Sequence, residues 1–234
     1  MVVTEIQEKL AAFGDARIAA VSRRFFKTGP GEYGEGDFFR GIRVPILRRL
    51  SEDYQTISRR EAGHLLKSRF HEDRLLALLI LVRLYSRGDA VIKDKIYRLY
   101  LKSTRFINNW DLVDSSAEHI VGAFLNDKGR KPLYRLAKSK NLWERRIAIM
   151  ATFHFIKRGE FAETFSVSRE LLSDKEDLIH KAVGWMLREV GKRNLEAETE
   201  FLKENYRRMP RVMLRYAIER FPAAKRQMYL NDKV

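Results

Sequence analysis

Trp110 and Asp114 stand four residues apart, a spacing that puts both side chains on one face of a helix. A carboxylate beside a large aromatic can serve a cationic transition state. The indole face attracts positive charge, and the carboxylate stabilises a developing cation and orients a water. The same spacing also fits a plainer arrangement, in which the tryptophan packs in the core and the aspartate caps a turn or pairs with an arginine. Trp185 lies in the segment Ile179–Arg188, where Gly184 beside it opens space for close approach. Trp143 begins another helical pattern and reads as packing.

The elements that must position these residues are repeated. Segments His71–Tyr85, Asn109–Leu125, Leu142–Lys157, Asp177–Val190 and Pro210–Phe221 recur at intervals of roughly 35 residues. Each carries a small residue near its middle: Ala77, Ala117, Ala148, Ala182 and Ala217. Three residues before that alanine two repeats have arginine, Arg74 and Arg145, whereas the Trp110 repeat has Asp114. Leu75, Leu78, Leu79 and Val82 follow the helical spacing, and no segment sustains the alternation of a strand. Pro45, Pro132 and Pro210 each precede an apolar helical pattern. Ser139–Asn141 and Gly191–Asn194 read as inter-helix turns, and Met1–Ala12 as the start of an amphipathic helix. The expected fold is therefore all-α, an α-solenoid of stacked helical repeats forming one domain over residues 1–234.

The chain carries 46 Lys+Arg against 31 Asp+Glu, a net charge of +15, which favours nucleic acid or an anionic surface as partner. Repeats set equivalent positions side by side. Arg74, Arg145, Arg146, Lys181, Arg188, Arg211 and Arg215 are thus expected to form a stripe of phosphate contacts. An acid inside such a stripe would be repelled by phosphate, which argues that Asp114 has another task. Cysteine is absent, which excludes disulfides, thiolate metal sites and a cysteine nucleophile. The histidines His64, His71, His119, His154 and His180 show no metal-ligand spacing and read as surface or core residues. No signal pattern and no apolar run of about 20 residues is visible. The expectation is a cytoplasmic monomer that needs neither membrane nor metal.

Residues 27–37 differ from the rest. With Gly29, Gly31, Gly34 and Gly36 they form a glycine-rich loop, but no Gly-Lys-Ser/Thr follows, so the geometry of a nucleotide-binding loop is missing. The loop is either a long structural turn or a flexible segment whose N–H groups approach a phosphate.

Three ordered segments carry a resemblance to a known family: Asn109–Asp114, Leu142–Ala148 and Ile179–Arg188. Together they resemble the signature segments of the AlkD-type DNA alkylation repair proteins, which are DNA glycosylases built of HEAT-like repeats, and the likeness runs from about Phe25 to about Phe221. The resemblance implies a HEAT-like fold and hydrolysis of the N-glycosidic bond of N3- and N7-alkylated purines in double-stranded DNA, without metal or cofactor. It implies that Asp114 is the catalytic aspartate and that Trp110 and Trp185 flank the lesion deoxyribose. It also implies that Arg146, or Arg145, contacts a phosphate. In the best-matched glycosylases an N-terminal aromatic engages the lesion; Phe25 and Phe26 stand in the corresponding stretch, followed here by the glycine-rich loop. Some relatives with an altered N-terminal motif bind DNA without excising bases. A non-catalytic module that binds bent or damaged DNA through its backbone is therefore the alternative, and a scaffold for an acidic protein partner is a more distant one.

Overall fold

The structure is a computed structural model and describes residues 2–234; Met1, which the sequence places at the head of the first helix, lies outside the described residues. It divides into two compact units, Met1–Ile120 and Val121–Val234. The first unit contains α1 (Val2–Ala12), α2 (Ala16–Phe25), α3 (Val44–Asp53), α4 (Arg59–Leu65), α5 (His71–Arg87), α6 (Ala90–Lys102) and α7 (Trp110–Asp114). The second contains α8 (Ala123–Leu125), α9 (Lys131–Ala137), α10 (Leu142–Ala151), α11 (Phe153–Ile156), α12 (Ala162–Leu171), α13 (Asp177–Gly191), α14 (Leu195–Asn205), α15 (Arg211–Ala217) and α16 (Ala223–Leu230). Both units are all-α, as the periodicity predicts. Among the described residues the β pairing is a single parallel bridge between Phe38 and Phe70.

Within the first unit α5 packs against α3, α4, α6 and α7; within the second, α10 packs against α9, α12 and α13, and α13 against α14 and α15. α5, α10, α13 and α15 carry four of the repeats seen in the sequence, and the segment Asn109–Leu125 carries the fifth. Their marker alanines Ala77, Ala117, Ala148, Ala182 and Ala217 are all fully buried, so the repeated small residue is a packing device that lets neighbouring helices approach. Gly184 takes this further. A Cβ there would collide with the Met213 carbonyl of α15 and come within 2.5 Å of Tyr216 Cβ. The close approach that the sequence suggests at Gly184 is thus made by a neighbouring helix.

The helix starts follow local rules. Asp15, Asp89 and Asn194 cap α2, α6 and α14 with their side chains, and Ser58 with Glu61 forms a capping box on α4. Pro45 and Pro132 lie in the first turns of α3 and α9, and Pro210 immediately precedes α15. The segment expected as one helix over Asn109–Leu125 is broken into α7, a π-helical turn at Glu118–Gly122, and α8. Gly122 sits against the Ala151 carbonyl, closer than any side chain would allow.

Candidate functional site

α7 begins at Trp110, where the Asn109 side chain accepts the Trp110 backbone N–H at 2.8 Å. The helix holds Trp110 and Asp114 one turn apart, both half-buried. Trp110 is set on a column of rings. Phe26 stacks against it with centroids 5.4 Å apart and planes 22° apart. Beneath Phe26 lie Phe39, at 5.1 Å, and His71, at 4.8 Å, and these two stack on each other at 4.6 Å. Phe25 meets the Trp110 ring edge-on at 5.9 Å and is itself 63% exposed. Of the two phenylalanines expected near a lesion, Phe26 is therefore largely used in supporting Trp110, and Phe25 keeps free surface.

On its inner side Asp114 lies near Tyr100, a fully buried phenol whose Oη is 2.9 Å from Ser116 Oγ. Burial, and then the negative charge of Asp114, push the Tyr100 hydroxyl well above the ordinary tyrosine range.

Arg74 and Arg145 occupy the position of Asp114 in their own repeats, whereas the last two repeats carry Ile179 and Leu214 there. Arg74 Nη1 donates to the carbonyls of Ser68 and Arg69 at 3.1 and 3.3 Å, and Nη2 to Asp37 Oδ1 at 2.7 Å. Arg145 Nη1 donates to the equivalent carbonyls of Ser139 and Lys140 at 3.0 and 3.1 Å, while Nε and Nη2 grip Asp174 at 2.6 and 3.2 Å. In both repeats the guanidinium staples a helix to the turn before it. These donors are consumed inside the protein, a structural role in place of the phosphate contact expected of Arg74 and Arg145. An aspartate cannot donate to carbonyls, so the Trp110 repeat has given up the staple.

The other expected cations divide in the same way. Arg146 is buried, and its Nη1 donates to the Leu178 carbonyl. Arg188 pairs with Glu219, and Lys181 with Asp177 one turn away on α13. Arg211 and Arg215, on α15, are exposed. Exposed pairs such as Lys181–Asp177 are worth about 0–1 kcal/mol and exchange readily for another anion.

In the second unit Trp185 is half-buried on α13, beside Phe153 at 6.4 Å, and donates its Nε1–H to Glu189 Oε1 at 3.2 Å. Glu189 also binds Lys192 and Arg193. Burial raises its pKa, but Lys192 and Arg193 together outweigh burial and hold it below the usual glutamate range. Lys157 lies over the Phe153 ring at 4.4 Å. Trp143 is a core residue, as its position suggests.

The glycine-rich loop is internally tied. Gly29 and Gly31 donate their N–H groups to Glu32 and Glu35, both at 2.8 Å, and Gly34 donates to the Lys27 carbonyl at 3.0 Å. It is thus built as a structural turn, and its end is anchored in the first unit's core. Asp37 Oδ2 lies 3.2 Å from His71 Nδ1, and Asn108 Nδ2 donates to Asp37 Oδ1 at 3.2 Å. His71 Nε2 in turn lies 2.8 Å from Asp111 Oδ2. Burial pushes the Asp37 carboxyl up, yet the hydrogen bond from His71 and the charge of Arg74 hold it below the usual range. The next residues dock on the first turn of α5: the backbone N–H groups of Arg40, Gly41 and Ile42 all donate to Glu72, and the Arg40 guanidinium binds Asp73. Sequence spacing does not mark His71, Asp37 and Asp111 as a group. The available signals are the acidic first turn of the α5 repeat and an aspartate closing the loop.

Among the described residues no helix is long and apolar enough to cross a membrane. Residues 6–221 match the model of a family described as DNA alkylation repair enzyme. The fold is similar to that of a predicted DNA alkylation repair enzyme from Enterococcus faecalis, at 17% identity over 90% of this chain and 97% of that one, with a TM-score of 0.69. It is also similar to AlkD2 from Streptococcus mutans, at 18% identity over 88% and 99% of the two chains, with a TM-score of 0.56. A third similar structure is smu.31 from Streptococcus mutans UA159, at 19% identity over 74% and 89%, with a TM-score of 0.53. No curated protein matches the sequence.

Proposed function

The chain belongs to the family of DNA alkylation repair enzymes, and from that premise we propose that it is a monofunctional DNA glycosylase for cationic N3- and N7-alkylpurines in duplex DNA. Alkylation at N3 or N7 leaves positive charge on the purine, so the base departs with little acid assistance. The costly species is the oxocarbenium-like sugar. In the proposed reaction the C1′–N9 bond breaks, its electron pair leaves with the purine, and water adds its oxygen to C1′ while releasing a proton. Asp114 stabilises the cationic sugar and orients that water. Trp110 supplies an aromatic face to the same charge, and Trp185 is the second tryptophan assigned to the deoxyribose. The logic parallels glycoside hydrolysis with one carboxylate in place of two, because the leaving group arrives already activated.

The observation that carries this reading is the fate of the staple position. Two repeats spend a guanidinium there to join helix and turn and two carry the apolar Ile179 and Leu214, and the Trp110 repeat alone places there a half-buried carboxylate, one turn from a tryptophan backed by stacked rings. A carboxylate at that position is suited to a cationic sugar. For phosphate contacts, the exposed Arg211 and Arg215 and the weakly engaged Lys181 are the better candidates, with Arg188 able to exchange Glu219 for a phosphate.

The test is release of 7-methylguanine and 3-methyladenine from methylated duplex DNA by the wild type and by Asp114→Asn. The wild type is expected to release both. The variant is expected to lose about 100-fold or more in rate, with DNA affinity equal or higher because a negative charge near phosphates is gone. Release by Asp114→Asn at the wild-type rate would sink the assignment. Binding without release by either protein would move the function to a non-catalytic DNA-binding module.

A further inference from the structure

The glycine-rich loop, which the catalytic reading leaves unused, ends in a buried chain of bonds that reaches the helix carrying Trp110 and Asp114. We propose that His71 and Asp37 are positioning residues for this site, fixing the start of α7 against the loop so that Trp110 and Asp114 are held in one orientation. The inference rests on the assignment of Asp114 and Trp110 made above.

Two independent sets of contacts converge on His71. The first is polar. Its ring nitrogens bridge Asp37, at the end of the loop, and Asp111, in the first turn of α7 and adjacent to Trp110. Asp37 is held in turn by Arg74 of α5 and by Asn108, two residues before Trp110. The loop, α5 and the segment leading into α7 are therefore tied at one point. The second is aromatic. His71 stacks on Phe39 and contacts Phe26, and Phe26 stacks on Trp110. One imidazole thus supports the tryptophan both through its backbone neighbour and through its ring.

The charges make the bridge stiff. The charged groups facing His71 are Asp37, Asp111 and Arg74. Burial and Arg74 favour the neutral ring, but the charge and hydrogen bond of Asp111 and the hydrogen bond of Asp37 win, raising its pKa to about 9. At neutral pH the ring is an imidazolium with both N–H groups donating, so neither carboxylate is left without its partner. A displacement of about 1 Å at a reacting group can cost on the order of 100-fold in rate, and a buried ion-paired bridge resists such displacement.

The experiment compares wild type, Asp111→Asn and Asp37→Asn by single-turnover base release, by duplex DNA affinity, and by the Trp110 indole N–H resonance, identified by its absence in Trp110→Phe. The two amide variants keep shape and remove one charge of the bridge. Release is expected to fall about tenfold or more while affinity stays within about threefold, and the Trp110 resonance is expected to shift or broaden. In the wild type, with no substitution at all, that resonance is expected to move with the His71 titration near pH 9. Release within about twofold of wild type by a folded Asp111→Asn, or a Trp110 resonance that stays fixed while His71 titrates, would overturn the inference. If the wild type releases no base, the glycosylase reading fails by itself, and the indole resonance still decides whether His71 positions Trp110.

Discussion

Arg145→Met separates a structural arginine from a DNA-binding one. Methionine keeps much of the aliphatic length and removes the guanidinium. The Asp174 carboxylate, whose side chain is 5% exposed, then loses both bonds from Arg145, and the carbonyls of Ser139 and Lys140 lose their shared donor. Removing one partner of a buried ion pair costs about 3–5 kcal/mol, most of it the penalty of the abandoned charge. For a chain of this size each kcal/mol lowers the melting temperature by about 2–4 °C, so a fall of roughly 6–20 °C is expected. Adding Asp174→Leu removes the abandoned charge and should restore most of the stability. The assay pairs thermal unfolding with duplex DNA binding across a salt series. If Arg145 neutralised a phosphate, its replacement would flatten the slope of log K against log salt by about 0.9; if it is an interior staple, the slope stays unchanged. A melting temperature within about 2 °C of wild type, together with a flattened slope, would refute the staple and with it the argument built on the position of Asp114.

Glu198 gives a pH-dependent prediction. Burial pushes its carboxyl from 4.5 up to about 8, against the opposing charges of Lys225 and Arg188. Because the folded pKa is the raised one, the folded state holds the proton more tightly. Its stabilising effect is complete below pH 4.5 and is lost as pH rises through 8. Glu198→Gln should therefore gain on wild type as pH rises, by about 3 kcal/mol at pH 7; equal gains in urea unfolding at pH 5 and pH 8 would contradict this. Gly184→Ala should cost about 1–3 kcal/mol through overpacking of α13 on α15, whereas Gly63→Ala, where the nearest atom is the flexible tip of Leu99 at 3.3 Å, should be milder. Similar melting temperatures for the two alanine variants would contradict the packing argument.

Helix positions are legible in the sequence because a stacked repeat writes the same packing several times. The five alanines, the three prolines and the turn at Ser139–Asn141 fall where packing and capping require them. Trp110 and Asp114 are legible as a pair for the same reason: a short local spacing on one helix survives folding unchanged. The arginines are not. A guanidinium at a repeated position looks identical in sequence whether it meets a phosphate or a carbonyl, and the acceptors of Arg74 and Arg145 include backbone atoms that carry no residue signature. His71 escapes for a related reason. Its partners Asp37 and Asp111 lie 34 and 40 residues away in opposite directions, a juxtaposition that only the tertiary fold creates. The break in the Asn109–Leu125 segment is hidden as well, because its apolar residues keep helical spacing through the π turn.

The docking of residues 37–42 on the first turn of α5 also sets an order of events during synthesis. Asp37, Gly41 and Ile42 bond to side chains that follow them by 30 to 37 residues. When the glycine-rich loop leaves the ribosome, the groups that will hold its end have not yet been made. At about 5–20 residues per second they follow within several seconds. For that interval the loop has only its own turns, those closed by Glu32 and Glu35. The internal ties of the loop thus act as a temporary hold, keeping the segment compact until the carboxylates of Glu72 and Asp73, and the imidazole of His71, arrive to fasten it.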